Sequence, residues 1–195
     1  MGNRITPHFH VSEFTKRDPK IITPIQWFML QYLCNNLEVM REFLSNEFGQ
    51  TISIKVTNGI RMPSDNNALR KKGYNPSETS DHLFGNMVKL RSNAKIKQFG
   101  RYYNYSVGAS DIIPACGAKE AYMRMKPFLT RGTGEISLPN GRIKVGQMIL
   151  EKRNGYWIHI SNPPELIYSK NLADSFLDKI HFLQSTDNGR TYEKV

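Results

Sequence analysis

Gln147-Met-Ile-Leu-Glu-Lys-Arg-Asn-Gly-Tyr-Trp-Ile-His-Ile-Ser161 is the stretch whose reading decides the fold. Two runs, 147–152 and 156–161, flank Arg153-Asn154-Gly155, the pattern of a β-hairpin closed by a glycine-bearing loop. Loop length sets which side chains share a face, because successive strand residues point to opposite sides. A two-residue Asn154-Gly155 turn places Glu151 and His159 on opposite faces. A three-residue loop with glycine in the left-handed position sets Glu151 opposite Trp157 and makes His159 its diagonal neighbour on the same side. The three-residue register is the expected one. His159 lies between Ile158 and Ile160, which point the other way, so an inward imidazole there requires a hydrogen bond or a metal.

Upstream, Thr23-Pro24 offers an N-cap followed by proline at the first helical position. Met29, Leu33, Leu37, Met40 and Leu44 then form one apolar stripe, predicting a long core helix that Gly49 ends. Thr51-Ile-Ser-Ile-Lys-Val56 alternates as a half-buried strand does, and Asn58-Gly59 is expected to break it, leaving Arg61 just beyond a strand end. Residues 64–72, closed by Gly73, predict a short helix, and 75–77 a loop from which His82 emerges. The segment 86–106 is basic and aromatic without clear periodicity and reads as an inserted excursion. A helix is expected over 118–128, short strands beside Gly132-Thr-Gly134 and Asn140-Gly141, a closing helix over 172–183 and a polar tail after it. These elements predict an α+β fold: one domain spanning 1–195, with a small antiparallel sheet flanked by helices.

The chain has 195 residues, 39% hydrophobic and 23% charged, a composition that can bury a sizeable core and excludes a disordered chain or a large multidomain machine. Lys and Arg outnumber Asp and Glu by 27 to 17, and the net charge of +10 favours polyanionic partners: nucleic acid, an anionic membrane surface or an anionic cell wall. No apolar h-region or membrane-spanning stretch occurs, so a soluble product made in the cytoplasm without a signal peptide is expected. Cys34 and Cys116 are too few for a disulfide framework and read as buried free thiols.

Five histidines remain to be sorted: His8, His10, His82, His159 and His181. His8-Phe9-His10 near the chain's start and His181 on the expected closing helix read as ordinary surface or packed histidines. His82 follows Ser80-Asp81 in a loop fed by a strand and a short helix, the kind of position where sites are built.

Val56-Thr-Asn-Gly-Ile-Arg-Met-Pro63, then Asn66 or Asn67, then Thr79-Ser-Asp-His-Leu-Phe-Gly85, resembles the S-G-Y-R-S-P, N, S-x-H-x-x-G run of zinc D-alanyl-D-alanine carboxypeptidases and L-alanyl-D-glutamate endopeptidases, cell-wall peptidases common in bacteria and bacteriophages. In that family an aspartate ligand follows seven residues after the histidine, at the end of G-x-A-x-D. Lys89 stands there in this chain, and the A-x-D end resumes at Ala109-Ser110-Asp111 after about 22 further residues. Gln147-Met-Ile-Leu-Glu151 and Trp157-Ile-His-Ile-Ser161 are similar to the Q-L-I-x-E and W-V-H-x-S halves of phage-type members, and Phe9-His-Val-Ser-Glu-Phe14 is similar to their F-x-x-x-E-F start. The match spans 9–161, interrupted by the 86–108 insertion and followed by 162–195.

The resemblance implies a DD-peptidase-like, hedgehog-type zinc peptidase fold holding one zinc per chain on His82, Asp111 and His159. Two imidazoles and a carboxylate leave the fourth tetrahedral position open for water, as hydrolytic sites require. Other members carry the catalytic acid three residues before the last histidine; Tyr156 occupies that position, so Glu151 is the expected acid and base. Arg61 is expected to pair with a substrate carboxylate or a developing oxyanion, and Ser80 to donate to substrate or to a ligand. The implied function is hydrolysis of a peptide bond in the peptidoglycan stem peptide, after lysis or from a phage particle, with other virion proteins as possible neighbours. The interrupted spacing and Tyr156 motivate an alternative, an inert virion or tail component with the same fold. A nucleic-acid binder using 89–105 ranks last.

Overall fold

Thr23 starts the long helix for a local reason. Its hydroxyl accepts the Gln26 N–H at 3.3 Å while the Gln26 side chain accepts the Thr23 N–H at 3.1 Å, so two otherwise unpaired donors are satisfied reciprocally. The helix runs Pro24–Phe48 and ends on Gly49 at φ 61, a left-handed cap. The computed structural model describes residues 3–15, 22–74, 76, 80–84, 87–89, 96–98, 101–130, 133–166, 181–185 and 193–194. Four α-helices occur among them: α1 (Val11–Phe14), α2 (Pro24–Phe48), α3 (Pro63–Lys71) and α4 (Ala118–Met125), the last continued by a 3-10 turn over Lys126–Phe128.

Twelve strands are described: β1 (Ile54–Asn58), β2 (Met87–Lys89), β3 (Ile96–Gln98), β4 (Arg101–Tyr105), β5 (Ala109–Pro114), β6 (Leu129–Thr130), β7 (Glu135–Leu138), β8 (Gly141–Lys144), β9 (Gln147–Lys152), β10 (Tyr156–Ser161), β11 (His181–Gln184) and β12 (Glu193–Lys194). The main sheet has the order β1-β5-β10-β9-β11-β12, antiparallel throughout except for β9 and β11. Two three-stranded antiparallel sheets, β2-β4-β3 and β6-β7-β8, complete an α+β architecture.

The β9–β10 hairpin takes the three-residue register, with Tyr156 opposite Lys152 and Trp157 opposite Glu151. Period-two alternation then sorts the main sheet into two faces. Ile112, Ile158 and Leu150 lie side by side across three strands and are fully buried in the core with α2 and α4. The neighbouring row, Asp111 beside His159, turns to the other face. On α2 the stripe Met29, Leu33, Leu37, Met40 and Leu44 is fully buried, and cutting one such leucine to alanine costs about 2–5 kcal/mol.

The structure corrects four expectations. Residues 181–183 are not helical: they form β11, whose pairing with β9 satisfies backbone groups that would otherwise line an open edge, while 172–180 lie outside the described residues. The polar tail contributes a short strand, β12, at the sheet's far side. Residues 1–20, polar and mixed in sequence and expected to hold no element of the core, supply the buried Phe9, Val11 and Phe14. Cys34 is buried, its thiol pushed far up by burial, but Cys116 is only half-buried. The excursion itself holds β2, β3 and β4.

Asn162 joins layers that sequence separates widely. Its fully buried amide donates to the Met29 and Val107 carbonyls, at 2.9 Å each, tying α2 to the chain entering β5. Asn162→Ala is expected to lower the unfolding free energy by about 1–3 kcal/mol, because it strips two buried hydrogen bonds. Urea denaturation checks this, and an unchanged midpoint would contradict it.

Candidate metal centre

The four residues Asn58-Gly59-Ile60-Arg61 organise the polar face of the sheet. A bulge sets both Thr57 and Asn58 against Asp111, so that Asn58, not Thr57, is the residue in register with it. The Asn58 amide donates to Asp111 Oδ2 at 3.1 Å, and Arg61 Nη2 reaches the same oxygen at 3.4 Å. The Gly59 carbonyl accepts from His82 Nδ1 at 2.9 Å. The Arg61 N–H donates to the His82 carbonyl at 2.8 Å, and the Ile60 N–H to the Phe14 carbonyl at 2.7 Å. Asn58-Gly59, expected to break the strand, thus ends β1 and builds the support of the site.

His82 sits in a 3-10 turn, Asp81–Leu83, with 2% of its surface exposed. Its Nε2 lies 3.1 Å from Asp111 Oδ1 and 3.2 Å from His159 Nδ1; His159 Nδ1 is 3.0 Å from the same Oδ1. These three side chains, 29, 48 and 77 residues apart in sequence, come together because the excursion closes on itself. Ser106 Oγ donates to the Asp81 carbonyl, and Gly108 at φ +90 packs its Cα against the Phe84 ring, so the chain returns beside its point of departure.

Three donors this close fit a cation. The Gly59 carbonyl can only accept, so Nδ1 carries the His82 proton and Nε2 of the neutral ring presents a lone pair. That lone pair faces Asp111 Oδ1, another acceptor, and His159 Nδ1 can supply one proton between them at most. Tetrahedral zinc with ordinary ligand distances separates its donors by about 3.4 Å, a few tenths more than the separations here. His82, Asp111 and His159 are therefore a group that can hold a metal ion, with a donor set of two nitrogens and one oxygen.

The electrostatics agree. Burial pushes the His82 pKa down, only partly offset by Asp111, which favours the neutral ring that a metal needs. Burial opposes ionisation of Asp111, yet the two imidazoles outweigh it and hold the carboxyl well below its usual range. Burial opposes charge on His159 too, but its hydrogen bond and proximity to Asp111 and Glu151 raise its pKa. Glu151 is raised chiefly by burial, with His159 and Arg61 pulling the other way. It lies on the cluster's face of the sheet, diagonal to His159.

Of the other expected site residues, Arg61 is brought to the cluster, and its buried Nε has no partner among the described residues. Ser80 is not: it precedes the 3-10 turn, where its carbonyl accepts the Leu83 N–H at 3.1 Å, and among the described residues its hydroxyl has no hydrogen bond to the cluster. Tyr156 falls on the opposite face from His159, with the Lys119 and Lys152 ammonium groups 5.7 and 5.4 Å from its ring centre. His8 is held by Glu38 at 2.8 Å and contacts Arg41, while His10 caps α1; neither joins the centre. Asn58 and Gly59 were missed as supports, because an Asn-Gly pair signals a turn whether or not its polar groups serve a site.

No protein-family model matches the chain, and no curated protein or solved structure matches it either.

Two outcomes follow from this geometry. A Cβ at Gly59 would lie 2.5 Å from the Phe14 carbonyl oxygen and 2.7 Å from its Cα. Gly59→Ala is expected to cost about 1–3 kcal/mol by overpacking and to weaken metal binding as the His82 acceptor moves, both measurable by urea denaturation with and without metal. In metal-free protein, the raised His159 contributes stability that is complete below about pH 6.5 and lost as pH rises through its folded pKa. The lowered Asp111 contributes stability present above about pH 3.9 and lost as pH falls further. Unfolding between pH 5 and 9 in chelator should show the alkaline decline, and adding zinc should abolish it by replacing the proton; a decline unaffected by metal would contradict the site.

Proposed function

We propose that the chain is a zinc peptidase that hydrolyses a peptide bond in the peptidoglycan stem peptide, as phage-type cell-wall peptidases do. The observation that carries this proposal is the convergence of His82, Asp111 and His159 on one point with Glu151 on the same face. The sequence resemblance, which puts those residue types in that order, supports the same assignment.

One zinc per chain would be held by His82 Nε2, Asp111 Oδ1 and His159 Nδ1. When bound, zinc supplies Lewis acidity, bringing the pKa of a water to about 7 and polarising a carbonyl. Glu151, kept above the usual carboxylate range by burial, is suited to take a proton from water and return it to the leaving amine. Arg61 commits one nitrogen to Asp111, and its guanidinium charge beside the cluster would attract a substrate carboxylate or negative charge developing on the scissile carbonyl. A chain of charge +10 is held near an anionic wall. Among the described residues no helix is long and apolar enough to cross a membrane. Action on the wall after lysis or from a phage particle, beside other virion proteins, is part of the proposal.

Tyr156 favours a second proposal. With an aromatic ring in place of the acid and facing away from the cluster, the chain would keep the metal as a structural element of a virion or tail and cut nothing. Elemental analysis and release of new amino groups from isolated peptidoglycan separate the two. The peptidase is expected to carry about one zinc and to release amines. Glu151→Gln should keep the metal and lose about 10²–10⁴-fold in rate, and the His82→Ala/Asp111→Ala double variant should lose both. Zinc-loaded protein that releases nothing would establish the inert alternative.

A further inference from the structure

We infer that Asn58 is a positioning residue for the metal centre: its amide holds Asp111 Oδ2 and leaves Oδ1 as the single oxygen offered to the ion. The inference rests on the metal-site proposal above and goes beyond it in assigning how the carboxylate is presented. A free aspartate can offer both oxygens to one cation or rotate away from it. Here the two oxygens are differentiated. Oδ1 faces His82 Nε2 at 3.1 Å and His159 Nδ1 at 3.0 Å, whereas Oδ2 accepts from Asn58 Nδ2 at 3.1 Å and Arg61 Nη2 at 3.4 Å.

The backbone is arranged to make this contact. Along β1 the register runs Ile54–Pro114, Lys55–Ile113 and Val56–Ile112, so an unbroken ladder would pair Thr57 with Asp111. The bulge puts Asn58 there instead, and Thr57 turns its hydroxyl to the Asp111 backbone carbonyl at 3.0 Å. Bulges next to functional sites re-aim a side chain in this way. The Asn58 carbonyl is in turn fixed by Ser110 Oγ at 2.8 Å. A neutral amide suits the task, since it donates to the carboxylate without adding a second charge to a site already containing Arg61.

The test compares full-length wild type with Asn58→Leu, which removes the donor at similar size, and Asn58→Asp, which replaces it with an acceptor. Zinc affinity is read by chelator competition, coordination by the visible absorption of the cobalt(II) form, and fold by the thermal midpoint of metal-free protein. Groups that orient a metal ligand typically change affinity by about 10–100-fold when removed. Both variants are expected to bind zinc about 10–100-fold more weakly, with cobalt absorption shifted toward the weaker bands of higher coordination as Asp111 engages through both oxygens. Thr57→Val, which deletes only the bond to the Asp111 backbone, should stay within about twofold of wild type. If Asn58→Leu does not fold, Asn58→Asp and Asn58→Ser carry the same expectation.

Wild-type affinity and an unchanged cobalt spectrum in the Asn58 variants would overturn the inference while leaving the metal site standing. So would a loss of metal-free stability with the cobalt spectrum preserved, which would mark Asn58 as structural. Absence of zinc binding in the wild type would overturn both this inference and the proposal it rests on.

Discussion

Asp111 is a carboxylate withdrawn from bulk water beneath two buried imidazoles, and placing charge there costs several kcal/mol unless other groups hold it. Its side chain is 14% exposed. Oδ1 meets His82 and His159, Oδ2 meets Asn58 and Arg61, and its backbone carbonyl accepts from Thr57. A buried charge with this many partners is destabilising to break and weakly stabilising to own, which favours a role in function over one in holding the fold. The main sheet is built to present it. β5 lies between β1 and β10, so Asp111 has a polar neighbour in register on each side, Asn58 and His159.

The opposite face of the same strands supplies the rigidity. Ile112, Ile158 and Leu150 are fully buried in register with one another, so sliding any strand by one residue would turn apolar side chains into the polar site and polar ones into the core. The pairing that brings Asp111 to His159 is thereby fixed by hydrophobic burial on the other side. From the flank, the buried Phe14 abuts Gly59 through its backbone and fixes the carbonyl that orients His82. Stability and site geometry are two readouts of one packing arrangement.

Much of this was legible in the residues. Alternation around His159 and a glycine-bearing loop at Arg153-Asn154-Gly155 narrowed the hairpin to two registers and favoured the three-residue one that the structure shows, because register depends on local turn chemistry and strand period. The long helix declared itself through its apolar stripe and its Thr23-Pro24 start. The parallel strand β11 did not, since four residues carry too little periodicity and their state is set by a partner strand more than 30 residues earlier. The roles of Asn58 and Gly59 were hidden for another reason. A bulge is a property of two strands together, and nothing within Thr57-Asn58-Gly59 records which residue will face the neighbouring strand.

The separation of His82 from Asp111 looks like an obstacle to a common site, and the physics of loop closure makes it a small one. Each doubling of a flexible loop costs only about 0.6 kcal/mol, so extending a seven-residue separation to 29 costs about 1.2 kcal/mol. Here the closure is made at the base, where Ser106 bonds to Asp81 and Gly108 packs on Phe84. The intervening strands β2, β4 and β3 pair with one another in a sheet of their own. A segment that leaves and re-enters at one point transmits little of its internal structure to the ligands on either side. Its length and sequence can therefore vary while the distance from His82 to Asp111 does not, and the interruption is no argument against a working centre.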